Sequence, residues 1–173
     1  MVAYPLVSSK TGLWMGDGVN SFLEINDKII ASTIEIFTDM VMMEISVAGE
    51  PLSELAVLKN TITGMVGLAG VHKGVLAVHF PTQVALDVTG SFLGMEVEDI
   101  NADVQDAIGE IANMLGGNLK TILSDRGKDI HLSMPSTIYG DEYSFTSQAD
   151  VDQTILPFQA PAGVFYVEVE LER

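Results

Sequence analysis

The chain has 173 residues and a mass of 18.6 kDa, a length typical of one domain. Hydrophobic residues make up 47% of it and charged residues 18%, which excludes disordered and fibrous classes of protein. Eight Lys and Arg residues against 24 Asp and Glu residues give a net charge of −16, which repels nucleic-acid phosphates and anionic lipid head groups. The absence of cysteine excludes disulfides, thiolate metal ligands and a cysteine nucleophile.

The N-terminal residues 1–20 show little hydrophobic periodicity and are expected to form an irregular extension. They lack the basic region and the sustained apolar run that together mark a secretion signal. No part of the sequence approaches the roughly 20 apolar residues needed to span a bilayer. We therefore expect residues 1–173 to form a single domain in the cytoplasm, with neither nucleic acid nor membrane as a partner.

A helical pattern begins after these residues. Apolar residues recur at positions i, i+4, i+7 and i+11, namely Ile30, Ile34, Phe37 and Val41. This spacing predicts an amphipathic helix with Asn26 or Asp27 as its N-terminal cap. Two β-favouring runs over 61–68 and 74–80 then predict a hairpin, followed by a second helix over 82–95.

The third helix has the clearest periodicity. The same spacing as in the first helix is formed by Val104, Ile108, Ile111 and Leu115. Gly116 and Gly117 are predicted to end this helix, and a second hairpin is expected over 119–134. Both hairpins precede a proline, Pro81 and Pro135, so the chain is expected to contain a pseudo-repeat of helix and hairpin.

The last strand is predicted from strict alternation near the C-terminus. Three apolar residues alternate with three acidic ones, namely Val167, Val169 and Leu171 with Glu168, Glu170 and Glu172. This pattern predicts one buried face and one solvent-exposed face. Together these elements indicate an α+β fold in which two long amphipathic helices pack on a mostly antiparallel sheet.

Polar and small residues occupy the arc of the third helix opposite its apolar stripe. On a helical wheel the arc contains Asp103, Asp106, Glu110, Asn113 and Gly117, with Gly109 and Gly116 at its flanks. Glu110 and Asn113 are three residues apart, so their side chains are expected to emerge side by side. A solvated acidic face is the ordinary interpretation of such an arc. The glycines favour a binding surface instead, because they leave room for a partner to approach closely.

The carboxylate and the carboxamide limit the chemistry of this arc. A Glu without a second carboxylate at a fixed distance is not a glycosidase pair, and the sequence has no G-x-S-x-G motif. An amide cannot act as a general base near neutral pH, but it can hold a water molecule by donating and accepting hydrogen bonds. Positioning of water suits phosphoryl hydrolysis, in which the protein has little covalent work to do. The three histidines lack metal-site spacing, and we expect this chain to bind no metal.

Four sequence segments carry a family resemblance. They are Asp106–Gly117 (DAIGEIANMLGG), Thr63–Gly70, Leu132–Pro135 and Ile138–Gly140. The first resembles the signature helix of the CheC/CheX/FliY family of response-regulator phosphatases, in particular its CheX branch. The other three resemble the first hairpin of that family and the region after its second hairpin. The similarity covers roughly residues 27–140, with a weaker match through the last strand.

The resemblance implies a substrate, the aspartyl phosphate of the chemotaxis response regulator CheY. It implies that Glu110 pairs with a lysine at the active site of the regulator and that Asn113 orients the attacking water. It places Asp106, Gly109, Gly116 and Gly117 at the contact with the partner. The resemblance also implies a homodimer, and magnesium that is supplied by the phosphorylated regulator.

The first helix does not repeat the Glu/Asn pair. With an offset of 74 the positions equivalent to Glu110 and Asn113 are Ile36 and Asp39, and the neighbouring register gives no such pair either. We therefore expect one active helix in each chain. The principal alternative to catalysis is a docking module that sequesters a response regulator. Asn113 favours catalysis, because a docking surface needs charge but no amide that positions water.

Overall fold

The computed structural model describes residues 22–125, 127–147 and 150–173, and the expectation for residues 1–20 lies outside them. The described residues form three α-helices: α1 (Phe22–Ile36), α2 (Thr82–Leu93) and α3 (Ala102–Leu123). They also form seven strands: β1 (Ser46–Val47), β2 (Leu58–Gly70), β3 (Gly74–Pro81), β4 (Ile130–Leu132), β5 (Ser136–Tyr143), β6 (Val151–Ala160) and β7 (Gly163–Glu172). No helix among these residues is both long and apolar enough to cross a membrane.

All seven strands belong to one antiparallel sheet. Its order is β1-β6-β7-β3-β2-β4, and β5 also pairs with β2, alongside β4. The centre of the sheet is the pairing of β3 with β7, which matches Val78 with Val167. The α+β fold class and the antiparallel sheet predicted from the sequence are confirmed.

Helix α3 packs on the sheet through the stripe that its sequence predicts. Val104, Ile108 and Ile111 are completely buried, and Leu115 is buried as well. Asn101 caps the helix, because its side-chain oxygen accepts a hydrogen bond of 3.1 Å from the backbone N–H of Val104. The apolar stripe therefore fixes which arc of the helix faces the solvent.

Helix α3 does not end at Gly116 and Gly117, as predicted, but continues to Leu123. The stripe gains another buried residue at Leu119, and burial of this leucine offsets the low helix propensity of the two glycines. The predicted hairpin over 119–134 is consequently wrong. Its first half is helical, and its second half is the short strand β4, which pairs with β2.

An internal repeat is nevertheless present in the topology. The order helix, strand, hairpin occurs as α1-β1-β2-β3 and again as α3-β5-β6-β7, with β4 as an additional strand. The single strand of each half pairs with the hairpin of the other half: β1 with β6, and β5 with β2. The second hairpin of the repeat is thus β6-β7.

Helix α1 differs from its predicted form at both ends. It is already helical at Phe22, so Asn26 and Asp27 lie within it and neither residue caps it. Burial of Ile25 and Ile29 extends the apolar stripe beyond the predicted start of the helix. Its C-terminal end continues as a π-helical turn (Phe37–Val41), and the wider turn brings Phe37 and Val41 into the core.

The first hairpin and the second helix agree with the sequence pattern. Strands β2 and β3 pair from Thr61 with Pro81 to Leu68 with Gly74. Helix α2 ends two residues before the predicted boundary at 95, at Leu93. The following residue, Gly94, adopts a left-handed conformation with φ of 66°, which favours glycine and ends the helix.

The predicted solvent-exposed face of the last strand is wrong for two of its three glutamates. Glu168 and Glu170 are only 3% and 4% exposed, whereas Glu172 is exposed. Strand β7 lies inside the sheet, and Glu168 bonds to the buried His79 on the neighbouring strand β3, at 2.8 Å between Oε2 and Nε2. Burial raises the pKa of Glu170, and the negative charge of Glu168 raises it further.

A hydrogen-bonded chain continues from this pair on the face of the sheet that points away from α3. His79 Nδ1 lies 2.7 Å from Thr63 Oγ1, which in turn lies 2.6 Å from the Tyr143 hydroxyl. The ring of Phe145 packs edge-on against His79, with 5.2 Å between ring centroids. These contacts hold polar groups inside the protein on the side opposite the candidate site.

We predict that Gly64→Ala destabilises the protein while Gly117→Ala does not. A Cβ at Gly64 would lie 2.8 Å from the backbone oxygen of Ile108, so the helix would have to move away from the sheet. We expect a loss of about 1–3 kcal/mol in the free energy of unfolding. At Gly117 a Cβ meets no atom within 4 Å, and alanine should add up to about 1 kcal/mol through helix propensity.

Urea unfolding monitored by circular dichroism measures the free energy of unfolding of both variants. Gly117→Ala is the matched control, because it adds the same methyl group at an open position. Unchanged stability of Gly64→Ala would contradict the close contact between α3 and β2.

Candidate functional site

The exposed arc of α3 presents the residues that the sequence singles out. Asp106 and Glu110 are exposed, and Asn113 and Gly117 are partly exposed. Glu110 and Asn113 are separated by roughly 60° around the helix axis and by less than one turn along it. The structure therefore brings this carboxylate and this carboxamide together on one surface.

Neither side chain is engaged by another residue that the structure describes. Within residues 22–125, 127–147 and 150–173, Glu110 and Asn113 form no side-chain hydrogen bond or ion pair. Both side chains extend from a helix whose opposite face is fixed in the core. The pair can consequently bind a partner without first breaking a hydrogen bond to a described residue.

The glycines of the helix have different surroundings. Gly116 is buried, and a Cβ there would lie 2.6 Å from Val66 Cγ2 of β2. Gly109 is also buried, and its Cβ position is 3.6 Å from Pro135. Gly116 therefore serves close packing within the chain, whereas a Cβ at Gly109 would make an ordinary contact. Contact of either glycine with a partner stays a prediction. Gly117 faces open space and remains available.

The segment Leu132–Pro135 lies beside α3. The backbone N–H of Ser133 donates to the Gly67 carbonyl at 2.9 Å, and Ser133 Oγ accepts from the Gly67 N–H at 2.8 Å. Between Ser133 and Pro135 the side chain of Met134 is 86% exposed. Sequence reasoning missed Met134 as a surface feature. The available signal was an apolar residue placed directly before a proline.

The chemistry of this surface is that of hydrogen bonding and charge. The amide of Asn113 offers two N–H donors and a carbonyl acceptor, and Glu110 offers an acceptor that pairs with a cation. The buried histidine, His79, lies on the other face of the sheet, because Gly64 faces α3 and its neighbour Thr63, bonded to His79, faces away. No imidazole from that cluster can act on a group bound at α3.

The acidic residues of the arc do not converge. Asp103, Asp106 and Glu110 follow one another along successive turns of α3. The described ranges contain no cluster of three or more His, Asp or Glu side chains that could hold a metal ion. The arrangement of this helix is therefore a poor fit to a resident cation, which prefers convergent oxygen ligands.

Helix α1 carries no counterpart of the pair in any register. Its glutamates are Glu24 and Glu35, and the residues three positions later are Asp27 and Thr38. Of these two helices only α3 carries the pair, and that one helix of each chain is active stays a prediction.

Comparison with known proteins places these residues in a family. The model of the family "Chemotaxis phosphatase CheX" matches residues 62–159, more than half of the chain and all of α3. The CheY-P phosphatase CheX of Thermotoga maritima is 28% identical over 126 residues, which are 71% of this chain and 80% of that protein.

Solved structures agree in fold. A chemotaxis protein CheX from Desulfovibrio desulfuricans is 30% identical, with a TM-score of 0.76, and the match covers 86% of this chain and 99% of that one. The CheX of Borrelia burgdorferi, solved as a complex with CheY, BeF3 and Mg2+, is 21% identical with a TM-score of 0.72, and the match covers 86% and 97% of the two chains. This chain belongs to the CheX family of chemotaxis phosphatases.

Proposed function

We propose that this chain hydrolyses the aspartyl phosphate of a CheY-type response regulator, with Glu110 and Asn113 as its functional pair. One observation carries the proposal: on a CheX-family fold, the exposed Glu110 and the partly exposed Asn113 are adjacent and have no partner among the described residues. The related protein of Thermotoga maritima is named a CheY-P phosphatase, and that of Borrelia burgdorferi was solved with CheY. These names support the choice of substrate.

The reaction requires positioning more than acid or base chemistry. The oxygen of a water molecule bonds to phosphorus as the bond from phosphorus to the aspartyl oxygen breaks, which yields free aspartate and inorganic phosphate. Asn113 holds this water in line through its amide, and the water loses its proton to the phosphate or the solvent. Glu110 pairs with a lysine of the regulator and so places α3 over the phosphorylation site.

Magnesium belongs to the regulator in this proposal. Bound with the phosphoryl group, the cation neutralises its charge during hydrolysis. Asp103 and Glu110 are seven residues apart in α3, so they are separated by about 10 Å along the axis, too far to bind one small octahedral ion. The net charge of −16 leaves this chain poorly suited to neutralise a phosphoryl group by itself.

We further propose that residues 1–173 act as one phosphatase domain in the cytoplasm and form a homodimer. The described residues share a single sheet, which supports one domain. Strand β5 pairs with β2 on one side only, and its other edge meets no strand of the described ranges. Ile138 and Tyr139 on this strand are 46% and 47% exposed. Unpaired edges with apolar side chains favour pairing with a second copy.

We predict that Asn113→Ala and Glu110→Ala fail at different steps. Asn113→Ala should lower the dephosphorylation rate about a hundredfold or more with little change in binding, because it removes only the positioning of water. Glu110→Ala should weaken binding to the phosphorylated regulator about tenfold and lower turnover as well, because it removes an ion pair. Loss of phosphate from the regulator and binding to its beryllofluoride form measure the two effects.

Glu96→Ala is the control for these variants. It removes an exposed carboxylate from a groove that no residue of α3 lines. Near-normal activity of Asn113→Ala would contradict the mechanism. If the wild-type chain binds the regulator without hydrolysing it, the docking module that sequesters its partner is the correct function.

Magnesium is predicted to act only with the regulator. Calorimetric titration of magnesium into the isolated protein should show no specific site, while chelation should stop hydrolysis in the mixture. A tight stoichiometric site removed by Asp106→Ala or Glu110→Ala would overturn this assignment and make α3 a metal-binding helix.

The dimer is tested by light scattering at micromolar concentration. A dimer has twice the monomer mass of 18.6 kDa, and Ile138→Lys should shift it toward the monomer, because lysine on an edge strand opposes pairing. A monomer of the wild-type chain under these conditions would show the proposal to be wrong.

A further inference from the structure

Met134 is the most exposed large apolar side chain of the described residues, at 86%. Exposed apolar side chains are common singly and need no explanation by themselves. This one differs because hydrogen bonds anchor the backbone next to it and because it lies beside the candidate site.

Three hydrogen bonds fix the backbone next to Met134. Two of them join Ser133 to the backbone of Gly67, at 2.8 and 2.9 Å, and in the third Ser133 Oγ donates to the Met134 carbonyl at 2.9 Å. On the other side Pro135 abuts the Cβ position of Gly109. Because this backbone is already ordered, it loses little conformational entropy when the side chain binds a partner.

The position of Met134 relative to Asn113 follows from the two glycine contacts. Gly109, Asn113 and Gly116 have helical spacing i, i+4 and i+7 and lie on one stripe of α3. Pro135 lies beside Gly109 and Leu132 beside Gly116. The two glycines are about 10 Å apart along the helix, and three extended residues cover about the same distance. Ser133 and Met134 therefore run alongside the turn that carries Asn113.

We propose that Met134 is the apolar contact of the docking surface and packs on the phosphorylated response regulator beside its phosphoaspartate. The inference rests on the proposed function and adds a binding residue to it. A single ion pair buries little apolar area, so docking through Glu110 needs an apolar neighbour that does. Methionine suits this role because its flexible thioether adapts to a partner and is enriched at interfaces.

The test compares Met134→Ser with Met134→Leu and with Met42→Ser. Met42 is a matched control, because it is 75% exposed in a groove that no residue of α3 lines. Met134→Ser should raise KM for the phosphorylated regulator about fivefold to tenfold, with kcat within about twofold of wild type. Met134→Leu should restore KM, and Met42→Ser should leave it unchanged. Binding to the beryllofluoride-activated regulator should weaken by the same factor as KM rises.

Thermal unfolding shows whether each variant is folded, and light scattering gives its oligomeric state. Unchanged KM and binding in a folded Met134→Ser variant would overturn the inference, whether or not the wild-type chain is catalytic. A change of oligomeric state in this variant would also overturn it, because Met134 would then pack against a second copy. If the wild-type chain binds the regulator without hydrolysis and Met134→Ser weakens that binding, the proposed function fails while the inference stands.

Discussion

The close contact between α3 and β2 determines the rest of the site. At Gly64 the strand comes so near the helix that a Cβ would lie 2.8 Å from the Ile108 carbonyl oxygen, and at Gly116 the helix comes equally near Val66. Packing without side chains at these points sets the helix at one depth and one rotation. The rotation decides that Glu110 and Asn113 face outward, so the geometry of the surface follows from the core.

The polar groups on the two sides of the sheet differ in their surroundings. Those on one side are buried and bonded within the protein, and those of the α3 arc lie at the surface. On the face away from α3, the two ring nitrogens of His79 bond in the interior to Thr63 and to Glu168. On α3 the side chains of Glu110 and Asn113 have no hydrogen bond or ion pair among the described residues. Satisfied buried groups stabilise one conformation, whereas unsatisfied exposed groups can bind. A list of polar residues from the sequence does not separate these two kinds.

Sequence periodicity predicted what depends on local geometry. The stripe that begins at Val104 and the neighbouring positions of Glu110 and Asn113 both follow from 100° per residue. Sequence periodicity failed where contacts between residues distant in the sequence determine the structure. Gly116 lies in mid-helix because Val66 leaves no space for a side chain, and Glu168 is buried because β7 lies at the centre of the sheet. Neither fact is visible in the residues next to these positions.

The repeated order of helix, strand and hairpin gives the chain two helices in similar topological settings, of which one carries the Glu/Asn pair. The proposed mechanism therefore uses one half of a duplicated architecture. Under it, substitutions on the outer surface of α3 alter turnover directly, whereas those on the outer surface of α1 need only preserve Ile25, Ile29 and the other buried contacts. The exposed side of α1 is then the surface that can diverge, or be redesigned for a new partner, without loss of the proposed activity.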